Sequence, residues 1–206
     1  MQLTSVCGPI AARPFRARRG LAATLLAAMA AVMAWAVEPA AAADPAVQYM
    51  ERVGRELLAA ARSRSPSAMA QVVARHADTG SIGLYSLGTY RAQLAITDRP
   101  HYLSGMVRFI ARYAANEAPK YPVARVEWMP QSVQGGQGLM VDSKVTLTDG
   151  TAYDVRWLLA RYGNTYKVRD AMVYGLWMTP FLKNLFEGYI GQNGGNVKAL
   201  VVVLNR

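Results

Sequence analysis

The chain is poor in the residues that most enzymes and metal proteins rely on. It has one cysteine, Cys7, and two histidines, His76 and His101, in 206 residues. A single cysteine excludes an intramolecular disulfide framework, and Cys7 lies in a segment expected to be removed, so no thiolate nucleophile or sulfur metal site remains. Neither histidine has a second His, Asp or Glu at ligand spacing on the same helical face, so no metal is expected. There is no Gly-x-Ser-x-Gly, no P-loop and no dinucleotide fingerprint. Gly135-Gly136-Gln137-Gly138 falls between strands and reads as a turn rather than a phosphate cradle. No cofactor is expected. Basic runs of five or six residues are also missing, so the charge of +10 is spread over the surface.

The first segment is different in kind. Arg13, Arg16, Arg18 and Arg19 precede an apolar, alanine-rich run from Leu21 to Val37. Ala41 and Ala43 then make a small-x-small site just before Asp44. This is the pattern of a secretory signal peptide over residues 1–43, with one domain over 44–206. The run is short for a bilayer span, which needs about 20 apolar residues. Removing four of the 23 basic and one of the 13 acidic residues leaves 19 and 12, a net charge of +7. Export argues against nucleic acid as a partner and leaves a solvated basic surface or attraction to lipid headgroups.

Helices come next. Asp44-Pro45 and Ser65-Pro66 are start signals, a capping side chain followed by proline at the first helical position. The first helix carries Val47, Met50, Val53, Leu57 and Leu58 on one stripe; the second, ending near His76, carries Met69, Val72 and Val73. A third is expected from Ile82 to Leu94. A longer fourth, about Arg99 to Glu117 with Thr97 as its cap, carries Tyr102, Leu103, Met106, Phe109, Ile110 and Tyr113.

Four strands follow. Val123–Trp128 is the first. Val141, Ser143, Val145 and Leu147 alternate with Asp142, Lys144 and Thr146. Asp149-Gly150 predicts a two-residue type I′ turn into Tyr153, Val155, Trp157 and Leu159. Gly163-Asn164 turns the chain again into Tyr166, Val168, Asp170 and Met172. Thr179-Pro180 then opens a helix closed by Asn193-Gly194-Gly195, and Val197–Leu204 is read as a last short helix. The predicted fold class is α+β: N-terminal helices, a curled four-stranded antiparallel sheet and C-terminal helices, enclosing an apolar pocket.

No reaction centre emerges, and the chain reads as a non-enzyme. Asp154 and Asp170 lie beside Arg156 and Arg169 and suit cross-strand pairing on a wet face. The aromatic side is conspicuous instead: Tyr153, Trp157, Tyr166, Tyr174, Trp177, Phe181 and Phe186 fall close together. Such a set either fills a core or walls a cavity, and periodicity leaves both open.

Three runs carry a resemblance: Val141-Asp142-Ser143-Lys144-Val145, Tyr153-Asp154-Val155-Arg156-Trp157, and Tyr166-Lys167-Val168-Arg169-Asp170 continuing to Tyr174-Gly175. With the closing pattern of Phe186, Ile190, Gly194, Leu200 and Leu204, they resemble the MlaC family of periplasmic lipid-binding proteins, also called toluene-tolerance auxiliary proteins. Pro180-Phe181 stands where that family often has Tyr-Arg. The chain is also similar to the hopanoid-associated HpnM branch. The resemblance implies a phospholipid or hopanoid ligand, carried between an inner-membrane ABC-type transporter complex and an outer-membrane lipoprotein complex. Strand and helix parity then puts Val155, Trp157, Leu159, Val168, Val173, Leu176, Trp177 and Phe181 forward as lipid contacts, with Tyr102, Phe109 and Tyr113 closing the helical side. Two other readings compete: an envelope adaptor with a filled core, and a pocket enzyme working through Asp170 or His101.

Overall fold

The computed structural model describes residues 43–206; the expected signal peptide lies outside the described residues apart from Ala43. Four helices lead: α1 (Pro45–Ser63), α2 (Pro66–His76), α3 (Thr79–Ser86) and, after a 3-10 turn over Gly88–Gln93, α4 (Arg99–Glu117). Six strands follow: β1 (Val123–Trp128), β2 (Val133–Gly135), β3 (Gly138–Leu147), β4 (Ala152–Tyr162), β5 (Thr165–Val173) and β6 (Leu176–Trp177). Helices α5 (Met178–Gln192) and α6 (Val197–Leu204) close the chain. This is the expected α+β order, with two short strands added to the expected four. The sheet is antiparallel and open, in the order β1-β3-β4-β5-β6, with β2 paired to β3.

The start signals act as their chemistry requires. The Asp44 carboxylate accepts from the N–H groups of Ala46 and Val47 at the head of α1. Its other oxygen accepts from the backbone N–H and hydroxyl of Ser132, at 2.8 and 2.6 Å, which ties α1 to the loop before β2. Burial alone would raise the pKa of Asp44, but these hydrogen bonds outweigh it and hold the carboxyl below its usual range. Ser65 caps α2 through Ala68 N–H.

Other boundaries differ from expectation for identifiable reasons. The expected helix Ile82–Leu94 breaks at Gly88, which has φ +51°. A Cβ there would stand 1.9 Å from Glu187 Oε1, which accepts from Thr89 N–H and so brings α5 against the break. Thr97 does not cap α4; Asp98 holds that position without a side-chain hydrogen bond. Helix α5 starts at Met178, before Thr179-Pro180, and its cap comes from β5: Asp170 Oδ1 accepts from Thr179 N–H at 2.9 Å.

The hairpins are also redistributed. Asp149-Gly150 is not a type I′ turn, because only Gly150 has positive φ. Gly150 N–H donates to Leu147 and Leu147 N–H to Thr151, the pattern of a type I turn ending in a left-handed glycine. Gly163 alone is left-handed in the next turn, as type II′ requires. The type I′ conformation occurs at Tyr174-Gly175, with φ +52° and +75°, between the paired residues Val173 and Leu176. A left-handed tyrosine costs roughly 1–2 kcal/mol. Its ring meets Tyr153 edge-on at 4.8 Å, which offsets part of that cost.

One face of the sheet packs on α1. Val141, Leu159 and Tyr166 join Val47, Tyr49, Met50 and Val53 in one core, with Trp128, Trp157 and Val168 against it. The other face carries the ion pair Arg156–Asp142, directly opposed across β3 and β4 at 2.7 Å. A bulge between Leu158 and Leu159 adds Arg169 to β5, within 3.5 Å of the buried Asp78 carboxylate at the head of α3. A second core lies wholly among helices: Leu87, Tyr102, Met106, Leu182, Phe186, Ile190, Leu200 and Leu204.

Candidate functional site

The helical core is incomplete on one side. Helix α5 places Leu182, Phe186 and Ile190 inward at helical spacing, and all three are buried. A second stripe on the same helix, Phe181 and Leu185, has no such cover; the two side chains are 56% and 45% exposed. Helix α4 behaves similarly. Tyr102 and Met106 are buried, while Tyr113, further along the helix, is 57% exposed. Between these stripes and α6 lies a cavity of about 430 Å³. Phe109, Tyr113, Leu185, Phe186, Leu200 and Leu204 supply its apolar walls, and Arg112, Asn116 and Tyr189 supply polar tips. Buried Phe186, Leu200 and Leu204 form part of the lining, so the cavity reaches the core.

The wall is built from aromatic contacts. Phe186 meets Phe109 at 5.7 Å and Tyr102 at 6.3 Å, both edge-on. Tyr102 is held from behind, its hydroxyl donating to Gly83 O at 2.8 Å. Burial pushes the pKa of this phenol far above its ordinary value, so it stays a neutral donor at any working pH. Gly105 lets α6 approach α4: a Cβ there would come within 2.9 Å of Leu204 Cβ.

A second cavity, about 490 Å³, lies between the end of α1 and the link from α4 to β1. Leu58, Ala61, Pro119, Pro122 and Val123 line it with Arg62, Arg64 and Tyr121. None of its lining residues is buried, so it is a surface cleft.

The sequence-predicted contacts separate into groups. Phe109 and Tyr113 line the helical cavity. Phe181 is exposed one turn before Leu185, and Leu176 and Trp177 form β6 immediately ahead of α5. Val155 and Val173 are paired neighbours on β4 and β5. Trp157, Leu159 and Val168 belong to the core under α1, where Trp157 Nε1 donates to Ser143 Oγ at 3.0 Å. Tyr102 stands fully buried behind the cavity wall. Arg112, Asn116, Leu185, Phe186, Tyr189, Leu200, Val203 and Leu204 line the cavity and were absent from the prediction. The signal that could have found Leu185 and Tyr189 was the second stripe on α5, Phe181–Leu185–Tyr189, which repeats every four residues beside the buried one.

Comparison with known proteins adds a fold and a family. The sequence model of the MlaC protein family matches residues 49–206. The chain belongs to the MlaC family. The phospholipid-binding protein from Ralstonia solanacearum, solved in complex with a phospholipid, shares the fold, with a TM-score of 0.60 and 21% identity. The match covers 79% of this chain and 96% of that one. Comparison with curated proteins gives no match.

Several titratable groups of this MlaC-family chain have structural partners. Asp170 caps α5. His76 sits between α1 and α2, with Nδ1 3.1 Å from the Tyr49 hydroxyl and Nε2 3.0 Å from Glu56 Oε2. The hydrogen bond with His76 outweighs burial and holds the Glu56 carboxyl below its usual range. Asp78 accepts from Ser81 N–H at the head of α3. Burial would raise its pKa, but the Ser81 N–H, together with the nearby Tyr162 hydroxyl and Arg169 charge, lowers it overall. No group of three His, Cys, Asp or Glu residues able to hold a metal occurs among the described residues. No helix among them is long and apolar enough to cross a membrane.

Proposed function

We propose that the protein is an exported lipid carrier that performs no chemistry on its cargo. It takes a phospholipid between the inner and outer membranes of the cell envelope. Its loading and unloading partners in this reading are an inner-membrane ABC-type transporter complex and an outer-membrane lipoprotein complex. The observation that carries the proposal is the apolar cavity between α4, α5 and α6, lined by residues that elsewhere would complete a core. Family membership and the phospholipid-bound Ralstonia relative support it.

Size constrains what the cavity holds. If a methylene takes roughly the ~30 Å³ that a water takes in the liquid, the space suits a chain of about a dozen carbons. One acyl chain fits, and the exposed Phe181, one turn before Leu185 on α5, offers apolar surface to a second. Leu176, Val173 and Trp177 extend that surface in this reading, while Val155 is buried, Tyr102 backs the cavity wall, and Trp157, Leu159 and Val168 belong to the core under α1.

Energetics explain how such a carrier can release its load. Burying a methylene stabilises by about 0.8 kcal/mol relative to water. A membrane offers the same gain, so transfer between the two is nearly balanced. Small differences in fit and headgroup contact then set the direction.

Native mass spectrometry of the protein purified from its own envelope, followed by organic extraction, tests the proposal. One lipid-sized adduct per chain, released as phospholipid, is expected. A chain that is empty, and stays empty after incubation with envelope lipids, would favour an adaptor with no cargo.

A further inference from the structure

The one charged residue of the cavity lining has no ion-pair partner among the described residues. Arg112 is half-buried on α4 and lines the space between α4, α5 and α6. No ion pair among the described residues includes it. Its neighbour one turn earlier, Arg108, is engaged with the Asn205 side chain. The carboxylates closest along the two flanking helices are also engaged. Glu117 accepts from Lys120 at 2.8 Å, and Glu187 holds Lys183 together with the backbone and hydroxyl of Thr89. Arg112 therefore brings a positive charge, without an ion pair among the described residues, to a lining that is mostly apolar. Asn116, one turn further on the same face of α4, adds an amide to the lining, and the hydroxyl-bearing Tyr113 and Tyr189 stand beside them.

An arginine on an apolar cavity is matched by an anion attached to an apolar chain. The guanidinium presents a planar fork of donors suited to two phosphate oxygens, and such charge-assisted pairs strengthen where water is partly excluded. We propose that Arg112, with Asn116, is a headgroup subsite that binds the phosphate of the cargo while the acyl chain fills the cavity. This inference rests on the carrier reading and deepens it. It makes the protein selective for phosphate-bearing lipids over neutral lipids with the same chains, including neutral polycyclic ones such as unsubstituted hopanoids.

The test uses the delipidated exported chain and three probes: dioleoylphosphatidylglycerol, dioleoylglycerol and free glycerol 3-phosphate. The wild type is expected to prefer the phosphate lipid by about tenfold or more, as a charge-assisted hydrogen bond gives. Glycerol 3-phosphate at equal concentration should not displace it. In Arg112→Gln the ratio of the two lipid affinities should fall towards one. In Arg112→Lys, which keeps the charge without the fork, it should lie between. Melting temperatures near the wild type's for both variants would show that the fold is intact. An undiminished preference in Arg112→Gln would overturn the subsite. Efficient displacement by glycerol 3-phosphate alone would overturn it in favour of a free-anion site. Failure of the wild type to bind either lipid would overturn the carrier reading itself.

Discussion

Leu185→Glu is expected to empty the protein of lipid without unfolding it. The side chain is 45% exposed on α5 and lines the cavity, so the helix can carry a carboxylate there. The same carboxylate would stand where an acyl chain must pass. Burying a polar group against hydrocarbon without a partner costs about 2 kcal/mol or more, which corresponds to roughly a thirtyfold loss of occupancy. Arg112 lines the same cavity, and a pairing between it and the new carboxylate would close the opening further. Lipid recovered per mole of purified protein is the measurement. Leu185→Met, of similar volume, should retain its lipid. Equal lipid in Leu185→Glu and the wild type would place the cargo elsewhere.

Phe186→Ala should have the largest effect on stability. Phe186 is 2% exposed, stands at the junction of α4, α5 and α6, and makes edge-on contacts with both Tyr102 and Phe109. Removing a buried phenylalanine costs about 3–5 kcal/mol. For a folded part of this size each kcal/mol shifts the melting temperature by about 2–4 °C, so a drop on the order of 10 °C is expected. The loss should appear in calorimetry of delipidated protein, because bound lipid stabilises the native state by mass action. A change of under 2 °C would mean that the wall relaxes around the gap and that this face of the core is looser than its packing indicates.

The two substitutions lie one residue apart, and their contrast is the organising feature of α5. Leu185 is half exposed at the cavity, whereas Phe186 lines it from within the buried core. Periodicity identifies the buried stripe well, because Leu182, Phe186 and Ile190 obey the helical spacing. It does not say which of two apolar stripes will lack a partner, since that depends on where α6 lies, and α6 is placed by Gly105 and by the left-handed glycines after α5. Strand alternation was equally informative about β3, β4 and β5 and equally silent about cover. Trp157 and Leu159 share a face with Val155, and the sequence carries no mark that α1 will pack on the first two.

Turn chemistry shows the same limit. Asp149-Gly150 has the composition of a type I′ turn, yet Asp149 bonds through its side chain to Thr151 N–H and keeps negative φ. Tyr174-Gly175 takes that conformation because β6 must pair back on β5 within two residues. Asp170 reads as a candidate acid for the same reason that it is a good cap: it is a carboxylate beside a strand end, and its partner at Thr179 is distant in sequence but adjacent in space.

The most direct test of where cargo lies is photo-crosslinking with a phospholipid whose acyl chain carries a diazirine near its end. After loading and irradiation, peptide mapping should place the adducts on α4 between Phe109 and Asn116, on α5 between Leu185 and Tyr189, and on α6 between Leu200 and Leu204. Adducts concentrated on Leu58–Arg64 and Ala118–Val123 would contradict this account and assign the lipid to the surface cleft at the end of α1.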